Sequence, residues 1–283
     1  MTTAMPDLDP QTPPTPEDLL AARQFIASCY PRTPLRPLHE AGLAGGRELY
    51  LKCEDEAEIK SFKGRGALWR LACLGERNAR NGVITASTGN HGQGVAYAAS
   101  RVGVRSVVVV PTGSSPLKMD RIRGFGAELR VSGADIGEAS QAAREAALAE
   151  DLVYVEDGED PELMAGAATV GWEILEDLPT AQAIVVPVGG GNLIAGVALA
   201  AKRLKPSITI IGVQSEAAPA VVRSWELKRL VEMPCATSPA AWRPRSPASS
   251  PSRSSRSLST RCTWSARPNC GPRSAMRWPP GLP

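Results

Sequence analysis

A chain of 283 residues, 43% hydrophobic and 22% charged, is long enough to bury a substantial core, in one large domain or two small ones. No apolar run reaches the length of a membrane span. The six cysteines form no C-x-x-C pair, which favours reduced thiols in a cytoplasmic setting over a disulfide framework or a zinc site. The net charge of +3 conceals two unlike parts: residues 1–234 hold 24 basic and 29 acidic side chains, whereas 235–283 hold eight Arg and no Lys, Asp or Glu. The acidic body offers no basic groove for nucleic acid.

Residues 1–17, rich in Pro and Thr, read as a disordered lead-in without the basic-then-apolar order of a secretory signal. A strand is expected at 48–53, then a helix over 64–80 with Leu68, Leu71, Ala72 and Leu74 at helical spacing. Strand 83–86 leads to an Ala-rich helix over 90–101, and the β-branched run 105–110 to a helix over 117–124. Strand 127–131 precedes a helix over 136–150, and strand 152–155 one over 161–178. Strand 183–188, helix 192–204 and strand 208–213 complete the alternation. Repeated strand–helix units imply an α/β fold with parallel strands and helices on the faces. A run such as Val107-Val108-Val109-Val110 suits a strand buried on both sides.

From Cys235 onward the composition changes. Ser, Pro and Arg fill 28 of 49 positions, with no Val or Ile, yet three of the six Trp and three of the six Cys lie here. No strand or helix is expected. The segment is expected to be disordered, and its Trp and Cys content fits an out-of-frame translation better than an ordinary disordered arm.

Three glycine-containing patches carry the chemistry. Val188-Gly189-Gly190-Gly191-Asn192-Leu193 follows a strand and opens a helix. Glycines there admit close backbone approach, and free N–H groups at a helix start favour an anion such as phosphate. The run is neither G-x-G-x-x-G nor a P-loop; a tight turn without ligand is the alternative. In Ser61-Phe62-Lys63-Gly64-Arg65-Gly66-Ala67, Lys63 begins a helix, where a positive field and partial desolvation ease loss of its proton and prepare an amine for imine formation. An ordinary solvated lysine is the alternative. Lys60 and Arg65 read as exposed or as anion contacts. In Ala86-Ser87-Thr88-Gly89-Asn90-His91-Gly92, hydroxyls and helix-start N–H groups suit a carboxylate. Asn90 is suited to a phenolic oxygen. His91 is either a proton carrier or a packed histidine. An imine-forming lysine, a carboxylate loop and a phosphate cradle are together the needs of a pyridoxal-phosphate enzyme acting on an amino acid.

In order and spacing these patches, with Thr33-Pro34-Leu35 and Leu51-Lys52-Cys53-Glu54-Asp55, resemble the pyridoxal-phosphate enzymes of the tryptophan synthase β-chain fold (fold type II). The threonine/serine dehydratase and serine racemase branch is the nearest, over about residues 31–219. The resemblance implies two open, twisted, mostly parallel sheets with the cofactor in the cleft between two domains. The larger would take 18–55 and 152–234, incomplete at its C-terminal end, and the smaller 56–151. It implies Lys63 as the Schiff-base lysine and Phe62 as the aromatic beside the cofactor ring. Asn90 would bond the phenolic oxygen, and Gly189, Gly190, Gly191 and Asn192 would form the phosphate loop, where many relatives have a fourth glycine in place of Asn192. Ser87, Thr88, Gly89, Asn90 and His91 would bind the substrate carboxylate.

Departures from the family pattern matter too. Thr88 stands where dehydratases often have alanine and serine racemases serine. Gln214 and Ala220 stand where metal-binding relatives have Glu and Asp, so no bound metal is expected. No serine in the C-terminal segment has the context of the family's pyridine-nitrogen partner. The implied reaction is β-elimination on L-threonine or L-serine to a 2-oxo acid and ammonia. Serine racemisation, β-replacement and a truncated non-catalytic chain remain open alternatives. Relatives commonly form homo-oligomers; no membrane or nucleic-acid partner is expected.

Overall fold

The computed structural model describes residues 13–38, 48–78, 80–158, 160–227, 229 and 231, and the backbone of a short strand at 262–264. The described residues open with helix α1 (Pro16–Cys29), started by a capping box: Thr15 Oγ1 accepts from Asp18 N at 3.2 Å and Asp18 Oδ2 from Thr15 N at 2.8 Å. Strands β1 (Leu35–Pro37) and β2 (Tyr50–Lys52) pair as an antiparallel hairpin. After a 3₁₀ turn at Glu54–Glu56 comes α2 (Lys63–Asn78), with its backbone broken at Gly75. There follow β3 (Val83–Ala86), α3 (Asn90–Val102), β4 (Ser106–Val110), α4 (Pro116–Gly124), β5 (Glu128–Val131), α5 (Ile136–Glu150) and β6 (Val153–Tyr154). The chain continues through α6 (Pro161–Asp177), β7 (Ala183–Pro187), α7 (Asn192–Leu204), β8 (Thr209–Val213) and α8 (Ala220–Leu227), and the described backbone ends with β9 (Cys262–Trp264).

Two sheets organise the chain. The first is wholly parallel, in the order β5-β4-β3-β6. Its central strand β4 is buried at every residue, because helices cover both faces. Ala139, Ala143 and Ala147 of α5 meet Ile84, Val107 and Val109 on one side. Ala96 of α3 and Ile122 of α4 meet Val108 and Val110 on the other. In the second sheet β7 and β8 are parallel. Ile184, Val186, Ile208 and Ile210 point to α6 and α7, while the opposite face of β7 shows Val185 62% exposed. Helices α1, α2, α6 and α7 supply much of the largest apolar cluster, including Leu19, Ile26, Leu68, Leu71, Met164 and Leu199.

Nearly all the expected elements appear within two residues of their anticipated ends. Four corrections stand out. Residues 13–17 are not lead-in: they cap and begin α1, because Thr15-Pro16-Glu17-Asp18 is an N-terminal signal. Hairpin strand β1 was not anticipated, since its Pro-flanked residues show no alternation. The C-terminal segment holds a strand, β9, antiparallel to the edge strand β8: its Thr263 and Trp264 suit a strand, and the unpaired backbone groups of an edge accept a further partner. Arg65 is neither exposed nor an anion contact. It is wholly buried, with Nε 2.9 Å from Glu54 Oε2, Nη1 2.6 Å from Glu173 Oε1 and Nη2 3.1 Å from Thr33 Oγ1. Burial works against its charge, but hydrogen bonds and fields from Glu173 and Glu54 outweigh this and raise its pKa. Lys60 is exposed. The disorder expected for residues 1–12, and for 235–283 apart from β9, lies outside the described residues.

Candidate active site

Phe62 and Lys63 form the entry to α2, where two neighbouring features converge on them. Phe62 packs against the apolar cluster of Ile184, Val186 and Ile194, to which Val188 and Leu193, the flanks of the glycine loop, also belong. Lys63 lies against α3: a Cβ on Gly94 would stand 3.0 Å from the Lys63 carbonyl oxygen. The 61–67 patch is thus tied to the 188–193 patch through Phe62 and to the 86–92 patch through α3. Lys63 Nζ sits 5.5 Å from the Phe62 ring centroid and donates a hydrogen bond to Asp157 Oδ1.

The loop after β3 brings its five expected residues together. Ser87 Oγ accepts from Gly89 N at 3.1 Å, which holds the turn. Gly89 is the N-cap of α3 and offers no side-chain cap, so N–H groups of the first turn stay free for a ligand. Thr88 and Asn90 are exposed and Ser87 is buried. His91 is 3% exposed; its Nε2 lies 3.3 Å from Val155 O and its Nδ1 3.6 Å from Asp157 Oδ1. A carbonyl only accepts, so the hydrogen is assigned to Nε2. Burial pushes the His91 pKa down, against the pull of Asp157. Desolvation by its neighbours pushes Asp157 up although its side chain is 40% exposed, yet the fields of His91 and Lys63 and the Lys63 hydrogen bond hold its carboxyl below the ordinary range.

Beyond β7, Gly191 takes φ +101° as the N-cap of α7, again with no side-chain cap. That left-handed backbone is glycine's region. A Cβ on Gly189 or Gly190 would meet nothing within 4 Å, so open space fronts the loop. Asn192 is buried and its Oδ1 has no partner. A half-turn of the amide would place its NH₂ there, a donor for an anion. Free N–H groups, an unfilled cradle and an orphaned buried amide fit a phosphate.

Three residues here were not assigned a role from the sequence. Asp157 faces both Lys63 and His91. Lys118 Nζ stands 3.7 Å from where a Cβ on Gly89 would be, bringing a cation to the loop. Gln214, noted only as a replaced metal ligand, links the glycine loop to α8: its Nε2 is 3.3 Å from Gly189 O and its Oε1 accepts from Val222 N at 2.9 Å. Only fold-level juxtaposition marks the first two, since Asp157 is 94 residues from Lys63. A shallow cavity of about 430 Å³ lies elsewhere, lined by Arg32, Thr33, Tyr50, Asp177 and Leu178 among others, and holds none of the expected site residues.

The family model for pyridoxal-phosphate dependent enzymes matches residues 26–258. The chain belongs to that family. The match runs past residue 235 into the Ser/Pro/Arg-rich segment. The chain is 39% identical over 210 residues to an L-threonine ammonia-lyase of Thermotoga maritima, covering 74% of this chain and 52% of that protein. It is 40% identical over 203 residues to an L-threonine ammonia-lyase of Geobacter sulfurreducens, covering 72% and 50%. The structure superposes on maize serine racemase with a TM-score of 0.75 at 30% identity, covering 77% of this chain and 66% of that one. It superposes on threonine deaminase isoform 2 of Solanum lycopersicum with a TM-score of 0.71 at 31% identity, covering 81% and 67%. The chain therefore spans about half the length of these two ammonia-lyases. Among the described residues no helix is long and apolar enough to cross a membrane.

Proposed function

We propose that this chain is a pyridoxal-phosphate-dependent ammonia-lyase of the threonine/serine dehydratase type, acting by β-elimination on L-threonine or L-serine. The observation that carries the reading is the position of Lys63, joined to the carboxylate loop through Asp157 and His91 and to the flanks of the glycine loop through Phe62. Gly189, Gly190, Gly191 and Asn192 would hold the phosphate of the cofactor, and Asn90 its phenolic oxygen. Phe62 would lie beside the ring. When bound, the cofactor supplies the electron sink that makes a Cα–H bond acidic.

The protein's own groups supply the rest. Ser87, Thr88, Gly89, Asn90 and His91 bind the substrate carboxylate, and Lys118 adds positive charge at that loop. Fixing the carboxylate orients the Cα–H bond toward Lys63, whose amine, once freed, removes the proton. Serine racemisation and β-replacement share these first requirements; the neighbours named threonine ammonia-lyase favour elimination. Incubating the chain with pyridoxal phosphate and L-threonine or L-serine tests the reading. A 2-oxo acid and ammonia in equal amounts are expected, whereas D-serine alone would favour racemisation.

A further inference from the structure

Asp157 lies in the β6–α6 connection and touches two residues of the proposed site. Lys63 Nζ donates to its Oδ1, and His91 Nδ1 is 3.6 Å from the same oxygen. Asp157 caps no element: the α6 N-cap is Asp160. Glu156 is turned away to Arg144 of α5. Among the described residues, the charged or titratable groups facing Asp157 are Lys63 from α2, His91 from α3 and Tyr154 from β6, with Asp160 acting on the His91 side. A carboxylate in contact with an amine favours the ammonium form, which has no lone pair for attack. A lysine that must capture an aldehyde therefore needs somewhere to send its proton.

We propose that Asp157 is that destination: a positioning carboxylate that parks Lys63 as an ammonium beside the Phe62 ring and relays one proton while the amine captures the cofactor aldehyde. The inference rests on reading Lys63 as the capturing lysine. Of the three ammonium hydrogens, one passes to Asp157 Oδ1 and frees the nitrogen lone pair, which bonds to the aldehyde carbon. A second moves from nitrogen to the former aldehyde oxygen. The proton on Asp157 then goes to the same oxygen, which leaves as water. The third hydrogen stays on nitrogen, a C=N bond replaces C=O, and the positive charge is conserved.

Competitive acetylation of the full chain without cofactor tests the ion pair, with exposed Lys60 as internal reference and mass spectrometry as readout. In Asp157→Asn, Lys63 is expected to label about tenfold faster relative to Lys60, because its ammonium form loses its carboxylate partner. Asp157→Glu should stay within about twofold of the parent on the same tenfold scale. An unchanged or lower ratio in Asp157→Asn would overturn the pairing. Should that variant fail to fold by circular dichroism, Asp157→Ser is read in its place: a ratio raised about tenfold supports the pairing, and an unchanged or lower one refutes it.

The relay is read separately, from borohydride-trapped capture of pyridoxal phosphate. Asp157→Asn should capture about tenfold more slowly despite its freer amine, because no acid serves the departing oxygen. Faster capture would leave Asp157 a counterion only and overturn the relay. No adduct in the unmodified chain would sink the proposed function and the relay together, while the acetylation ratio would still judge the ion pair.

Discussion

Gly66 and Gly166 meet where α2 crosses α6, so closely that a Cβ on Gly166 would stand 2.5 Å from the Gly66 Cα and 2.6 Å from the Arg65 carbonyl oxygen. Both neighbours are backbone, which cannot rotate aside. The contact fixes the start of α2, and with it Lys63, against the helix that follows the Asp157 loop. Gly166→Ala would gain helix propensity of about 1 kcal/mol. The forced separation of the two helices outweighs it, for a net loss of about 1–3 kcal/mol. Urea denaturation should show a lowered midpoint with an unchanged slope.

Beside this crossing, Arg65 binds Glu54 and Glu173 in the interior, with Lys52 Nζ 2.5 Å from Glu173 Oε2. Arg65→Met would leave two largely buried carboxylates short of a partner. A loss of about 3–5 kcal/mol is expected, seen as a lower denaturation midpoint. Replacing all three side chains by apolar ones of similar volume should cost much less, since the ions' desolvation is then removed with their attraction.

The buried His91 gives stability a particular pH dependence. Its folded pKa lies below the ordinary histidine value of 6.5, so below that pH the unfolded chain binds the extra proton first. Its contribution is complete above about pH 6.5 and is lost as pH falls toward the folded pKa, at up to about 1.4 kcal/mol per pH unit. His91→Gln should flatten urea-measured stability between pH 6.5 and 5. A second, lower loss follows from Glu128 and from Glu150, which Arg130 hydrogen-bonds and holds at about 2. These carboxylates stabilise fully above their unfolded values and cease to do so once protonated in the fold.

Periodicity and β-branched runs made the parallel sheets legible, because strands such as β4 are buried on both faces and admit only apolar residues. Glycine patches marked the loops because glycine alone tolerates φ +101° at Gly191. Arg65 was misread because nothing local distinguishes a solvated arginine from one whose partners, Glu54 and Glu173, lie 11 and 108 residues away. Asp157 was invisible for the same reason, its meaning arising only when β6 lies beside β3. Helix α1 was legible in its cap but was passed over for the prolines around it.

The account stands on the chemistry of Lys63, and one labelling measurement reaches it directly. The chain is mixed with pyridoxal phosphate, reduced with borohydride, digested and sequenced by mass spectrometry. A yellow solution that bleaches on reduction, with the pyridoxyl mass on Lys63 and absent in Lys63→Ala, is the expected result. A colourless mixture, or label confined to exposed lysines such as Lys60, would contradict it.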